Sequence, residues 1–143
     1  SGLIMSCRKY SEEYPDLSPL FKVKGERVTL PKTIVEITDR ASVFANDQTG
    51  EPDVLVRLVQ GKIQVTGEGL SGWYKERRKI DYQGPDMEFL IKPSLLMHIT
   101  EKYESAIIGN NKLKARSSAE RWEYVTVLGK QKDKDEPAQE DEE

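Results

Sequence analysis

The sequence predicts an α+β domain with internal two-fold pseudo-symmetry: a strand–helix–three-strand unit used twice, with both helices on one side of antiparallel sheets. Three observations predict it. The stretch Pro31-Lys32-Thr33-Ile34-Val35-Glu36-Ile37-Thr38-Asp39-Arg40 returns without a gap as Pro93-Ser94-Leu95-Leu96-Met97-His98-Ile99-Thr100-Glu101-Lys102. Each copy opens on a proline suited to a first helical turn, spaces its apolar residues for one helix face, and ends on an acid–base pair. A short β-prone run precedes each copy, and β-rich runs broken by turn residues follow it. Twin helices with a basic residue at the same place make a surface suited to a regular charged partner. They do not make an active site.

The elements follow in order. Leu3–Cys7 reads as a strand end and 8–25 as a connector, because Tyr14-Pro15-Asp16 and Ser18-Pro19 forbid a long helix. Glu26–Leu30 is short and β-prone. Pro31 opens the first helix, whose apolar face carries Ile34, Ile37, Ala41 and Phe44. Residues 46–52 are a loop by composition. Val54–Val59 and Lys62–Thr66 flank Gln60-Gly61, a hairpin turn. The glycine-rich stretch Gly67–Gly72 reads as a flexible turn, and Trp73–Tyr82 as a third strand with Ile80 and Tyr82 pointing inward. After Gly84-Pro85 the order repeats: strand Met87–Ile91, helix Pro93–Tyr103 with Leu95, Leu96, Ile99 and Tyr103 on its apolar face, and strands Ala106–Ile108 and Lys112–Arg116 around Gly109-Asn110-Asn111. Trp122–Leu128 closes the set. Each unit should supply one amphipathic helix and one small sheet, the two helices together forming a curved floor.

The chain has 143 residues, enough for one domain with a real core. Its net charge of −3 is unevenly placed: three lysines and seven acids fall between Lys130 and Glu143, leaving a near-neutral body. That segment should be a disordered acidic tail. Local patches set the field that a partner meets, so an acidic total does not exclude nucleic acid. Cys7 is the only cysteine and His98 the only histidine, which excludes a disulfide framework, thiolate or histidine metal clusters and most general-base schemes. No cofactor, metal or catalytic residue is implied. No apolar run is long enough to span a membrane, and Leu3-Ile4-Met5 is too short for a signal-peptide core, so a reducing cytoplasmic setting is expected.

Individual residues have plain alternatives. His98, at the place Glu36 holds in the first copy, reads as an edge residue. Trp73 and Trp122 read as matched packing residues rather than a base-stacking platform. Gly67-x-Gly69-x-x-Gly72 mimics a dinucleotide fingerprint but lacks the helix that fingerprint must open, and is discarded.

Several stretches together resemble the bacterial-type DNA sliding clamp, the beta subunit of DNA polymerase III, and specifically its C-terminal domain. They are Tyr14-Pro15-Asp16 with Pro19-Leu20; Val56-Arg57-Leu58 followed by Gly61–Gly67; Ile80–Phe89; and Tyr124–Leu128. No single piece is a strong motif. Their order and spacing, with the internal repeat, carry the likeness over roughly Leu3 to Leu128. The resemblance implies a connector over 1–25, a C-terminal clamp domain over 26–129, and a tail over 130–143. It implies a non-catalytic processivity factor, part of a homodimeric ring around double-stranded DNA that docks replicative polymerase, clamp loader and other proteins with a clamp-binding motif. Only one domain of such a subunit would be present here. The acidic tail and the basic run Lys75–Lys79 depart from the family pattern and suit a divergent member such as a phage-borne clamp.

Two residue sets follow from the likeness. Lys32, Arg40, Lys92 and Lys102 would face DNA, since a sliding ring needs long cations for phosphates and no base-edge readers. Solvated helix charge is the competing explanation. Pro15, Pro19, Leu20, Val125, Thr126, Val127 and Leu128 would line a groove for extended clamp-binding peptides; the competing explanation is that the valines are core strand residues. The rival function is a pseudo-symmetric α+β protein–protein interaction domain with no DNA binding. A small enzyme built on acid pairs is a weaker rival.

Overall fold

A computed structural model of the chain describes residues 2–9, 11–45, 52–109, 111–117 and 122–130. The loop expected over 46–52 falls mostly outside them, as do the tail beyond Lys130 and Asn110 of the second hairpin.

The described elements run β1 (Glu26–Thr29), α1 (Thr33–Ala45), β2 (Val54–Val59), β3 (Lys62–Gly69), β4 (Gly72–Lys79), then β5 (Met87–Ile91), α2 (Pro93–Lys102), β6 (Ser105–Gly109), β7 (Lys112–Arg116) and β8 (Glu123–Val127). The expected strand–helix–three-strand unit is present twice. A 3-10 turn at Ser18–Phe21 precedes it.

The sheets are not one per unit, as the sequence suggested. One has the order β1-β6-β7-β8 and the other β4-β3-β2-β5, with every neighbouring pair antiparallel. Each unit therefore lends its first strand to the other unit's sheet. The exchange joins the halves by backbone ladders, Glu26↔Ile108 to Thr29↔Ser105 on one side and Val54↔Ile91 to Leu58↔Met87 on the other. Backbone groups that would be unpaired at two short edges are thereby satisfied within the domain.

Both helices form within the repeated stretches, α2 opening on Pro93 as expected and α1 on Thr33, two residues after Pro31, and they pack against each other. In α1 the side chains of Ile34, Ile37, Thr38, Ala41 and Ala45 are buried; in α2 those of Pro93, Leu96, Ile99 and Thr100. Burying an aliphatic side chain of this size stabilises by about 1.5–3 kcal/mol before ordering entropy is counted. The matched threonines sit in equivalent bonds: Thr38 Oγ1 donates to the Ile34 carbonyl at 2.7 Å and Thr100 Oγ1 to the Leu96 carbonyl at 2.8 Å. Each hydroxyl is thus satisfied inside a helix, as a buried polar group requires. One core joins these helices to the inner sheet faces, through Val28, Val56, Leu58, Ile63, Val65, Phe89, Ile108 and Leu113.

The hairpins follow from turn chemistry. Gln60 and Gly61 both have positive φ, 47° and 73°, the pair of values that a two-residue turn matching strand twist needs. Asn111, at the equivalent place in the second unit, has φ 60°.

Several expectations are corrected. Leu3–Cys7 forms no strand, because no neighbour offers it a ladder; Leu3 and Ile4 are each 93% exposed. Gly67 belongs to β3, and the turn expected over Gly67–Gly72 shrinks to Leu70-Ser71. The reason lies in packing: a Cβ on Gly67 would stand 1.8 Å from the Ala41 carbonyl oxygen, so α1 crosses β3 where no side chain intervenes. Strand β4 ends at Lys79. Ile80 and Tyr82 still turn inward, with the Tyr82 hydroxyl donating to the Pro85 carbonyl. Phe44 is only half-buried and stacks on Tyr74, centroids 6.2 Å apart. Trp73 and Trp122 are not packing residues: they are 65% and 66% exposed.

Candidate nucleic-acid interface and peptide groove

The start of α1 meets the end of α2 through Lys32. Its ammonium donates to the Thr100 carbonyl at 2.8 Å and to the Glu101 carbonyl. Carbonyls of a last helical turn lack intrahelical donors and stand at the negative end of the helix dipole, so a lysine there satisfies both needs. Lys32 is thus a tie between the twin helices as well as an exposed cation.

Arg40 is also engaged. Its guanidinium bonds Glu76 of β4 through Nη2 at 2.8 Å and Nε at 3.1 Å, and Nε also donates to the Tyr74 hydroxyl at 3.1 Å. Glu76 in turn accepts from Tyr74 Oη at 2.5 Å and pairs with Arg78 at 2.6 Å. The Tyr74 hydrogen bond first, and Arg40 second, hold the Glu76 carboxyl below its ordinary range against a smaller opposing effect of burial. The Glu76 hydrogen bond likewise raises Arg40. The cluster fastens α1 to the edge strand β4 and neutralises much of Arg40's charge locally.

The other two cations of the set mark the ends of α2. Lys92 is the residue before its first turn, with extended φ −64° and ψ 132°. A cation there opposes the helix dipole. Lys102 closes α2 and borders an open depression of about 560 Å³ shared with Arg27, Glu104, Lys114, Arg116 and Glu123. The structure brings Lys32 and Lys102 to one end of the helix pair and sets Lys92 and Arg40 apart from them. Exposed Glu36, Asp39 and Glu101 lie on the same helices, so the floor is close to neutral. His98 and its counterpart Glu36 are both exposed.

The predicted groove residues divide. The 3-10 turn carrying Pro19 and Leu20 lies beside β8 and is tied to the sheet by Lys114 Nζ, which donates to the Phe21 carbonyl at 2.8 Å. Asp16 Oδ1 accepts from the Ser18 amide at 3.0 Å, which starts the turn; hydrogen bonding from Ser18 lowers the Asp16 pKa. Val125 and Val127 pair with Lys114 and Lys112, on the outer face of β7, and share that face. Val127 is 73% and Leu20 48% exposed, an apolar pair left to solvent. Thr126 pairs with buried Leu113 and is half-buried. Leu128 is 3% exposed and belongs to the core, in step with Tyr124 and Thr126 along the strand, its amide bonding the Asn111 carbonyl. Pro15 is exposed, upstream of the turn.

Sequence reasoning noted the basic run Lys75–Lys79 but missed that it joins a row of cations on the outer face of sheet β4-β3-β2-β5. The register places Arg57, Gln64 and Arg77 in line, with Lys62 opposite Lys79 beside them. Its signal was available in β4, where Lys75, Arg77 and Lys79 alternate. Among the described residues no group of three or more His, Cys, Asp or Glu side chains is placed to hold a metal ion. No described helix is long and apolar enough to cross a membrane.

No family model matches the chain, and no curated protein matches it in sequence. Solved structures match it in fold. The DNA polymerase sliding clamp from Pseudomonas aeruginosa aligns with TM-score 0.73 and 14% identity, over 85% of this chain and 36% of that one. The DNA polymerase III beta chain from Streptococcus pneumoniae aligns with TM-score 0.68 and 16% identity, over 85% and 35%. The C. crescentus beta sliding clamp gives 0.66 and 16%, over 85% and 34%. At such identities the likeness shows the fold, that of one sliding-clamp domain. The chain spans about a third of the length of these clamps.

Proposed function

We propose that this chain serves as a domain of a DNA sliding clamp, a non-catalytic processivity factor that holds a polymerase on duplex DNA. Residues 26–129 would be the clamp domain and 1–25 the connector leading into it. Helices α1 and α2 would face the duplex, with Lys92 and Lys102 closest to phosphates and Lys32 and Arg40 at the rim of the contact. The observation that carries the reading is the mirrored topology with its two helices packed side by side, the arrangement the clamp fold uses. A nearly neutral floor is compatible with sliding, since few direct phosphate bonds leave little to break at each step. Peptides from polymerase and clamp loader would dock on the apolar surface of Pro19, Leu20, Val125 and Val127, beside the sheet edge β8. A photo-crosslinker at Ser94 or His98, on the exposed side of α2, should capture duplex DNA in the assembled protein. Capture from Val127 and not from α2 would reverse the assignment of faces.

The neutralisation of Arg40 by Glu76 favours a second reading, a protein–protein interaction domain in which the helix pair meets another protein. In that case the same crosslinker captures protein and no DNA.

A further inference from the structure

A dense gathering of positive charge among the described residues lies away from the helices, on the outer face of sheet β4-β3-β2-β5. Alternation puts Val56, Leu58, Ile63 and Val65 into the core and their neighbours outside. Cross-strand rows on the outside read Leu55–Thr66–Lys75, Arg57–Gln64–Arg77 and Val59–Lys62–Lys79. Five cations thus share the face with Glu88, which pairs with Arg57 at 3.1 Å, and with Glu68 at its far end.

Lys62 stands directly opposite Lys79. Like charges facing each other across a ladder are destabilising. Between the cations, Gln64 is only 7% exposed and accepts from Arg77 Nε at 2.7 Å, forming the floor of an open dent of about 290 Å³ lined also by Arg57, Val59, Gln60 and Lys62. The line of cations along β4 ends on Trp73, which is 65% exposed with Lys75 Nζ 5.7 Å from its ring centroid. Alternate residues of a strand are spaced about 6.8 Å apart, so Trp73, Lys75, Arg77 and Lys79 make a straight strip about 20 Å long on an edge strand.

We propose that this outer strip binds single-stranded nucleic acid, with phosphates on Lys75, Arg77, Lys79 and Lys62 and a base stacked on Trp73. A row of cations alone would suit any polyanion. The exposed indole at its end selects one with flat rings free to stack, which duplex DNA and acidic peptides lack. The strip lies on the opposite face of the sheet from α1, and the proposal does not depend on what the helices contact.

The test uses the full chain with Trp122→Phe, leaving Trp73 as the only indole, and a labelled oligothymidylate of about 12 nucleotides. Binding should quench Trp73 and weaken steeply with salt. The Lys75→Glu/Lys79→Glu pair should lower affinity at least about tenfold and reduce the log–log salt slope by roughly 1.4, the release expected for two phosphates of a single strand. Trp73→Ala should weaken binding roughly 5- to 150-fold. Lys79→Glu alone provides a control for folding: it meets Lys62 with opposite charge, so thermal stability should hold or rise while affinity falls. Arg8→Glu/Lys9→Glu, an equal change of charge on exposed residues of the N-terminal segment, should change affinity less than about twofold. Unquenched Trp73 on binding, or equal losses from the strip pair and this control pair, would overturn the proposal. So would amide signals of 72–79 that move when Glu140, Glu142 and Glu143 are changed to Gln but not with oligonucleotide, since the strip would then belong to the chain's own acidic segment.

Discussion

Lys32 and Glu76 are two charged residues whose roles are set by distant partners. Lys32 closes the last turn of α2 across 68 and 69 positions of sequence. Lys32→Ala should therefore cost about 0.5–1 kcal/mol in urea unfolding, whereas Lys32→Arg should recover most of it. A neutral Lys32→Ala would mean that water serves those carbonyls equally well. Glu76 holds Arg40, Arg78 and Tyr74 together. Its folded pKa lies below its ordinary 4.5, so its contribution is present above that value and disappears as pH falls through the folded one. Stability of the wild-type chain should drop more steeply below about pH 4.5 than that of Glu76→Gln, which has no charge to lose. Parallel acid limbs in the two proteins would contradict this. Neither role was legible in sequence: Arg40 and Glu76 are 36 positions apart, and nothing local marks them as partners.

At the scale of elements, local signals were read well and long-range pairing was not. The Ile-Thr repeat gave both helices, Pro93 the start of the second, and Gln60-Gly61 the first hairpin, because these depend on residues within a few positions. Which sheet β1 and β5 join depends on ladders formed across the whole domain, and the periodicity of a short strand says nothing about its neighbour. Gly67 shows the same limit. Its glycine-rich setting suggested a turn, while its actual role is to let α1 approach β3. Gly67→Ala should push against the Ala41 carbonyl and cost about 2–3 kcal/mol, visible as a lowered unfolding midpoint. A change below about 0.5 kcal/mol would show that α1 has slack over β3. The exposed face of a strand was equally hidden. Trp73 was read as a packing residue because it matches Trp122 in the repeat, yet it pairs across β3 with exposed Glu68 and stands on the outer face.

Across the whole molecule, the repeat was the informative quantity. Two copies of one unit predicted a domain whose halves mirror each other, and the strand exchange makes that mirror tighter than two sheets side by side would. The candidate DNA face was only partly legible. Sequence located four cations on or beside the twin helices but could not show that Lys32 ties the two helices together or that Arg40 is bound to Glu76. Of the residues proposed for an apolar groove, Pro19 and Leu20 sit on a turn beside β8, while Leu128 is buried in the core.

The central claim is that the paired helices face a duplex enclosed by an assembled ring. Retention on closed circular DNA, followed before and after a single cut, tests it most directly. The complete protein, loaded with its clamp loader, should stay on the closed circle at moderate salt and be released when the circle is linearised, with Lys92→Glu/Lys102→Glu shortening retention at low salt. Retention that is indifferent to the cut would contradict the account.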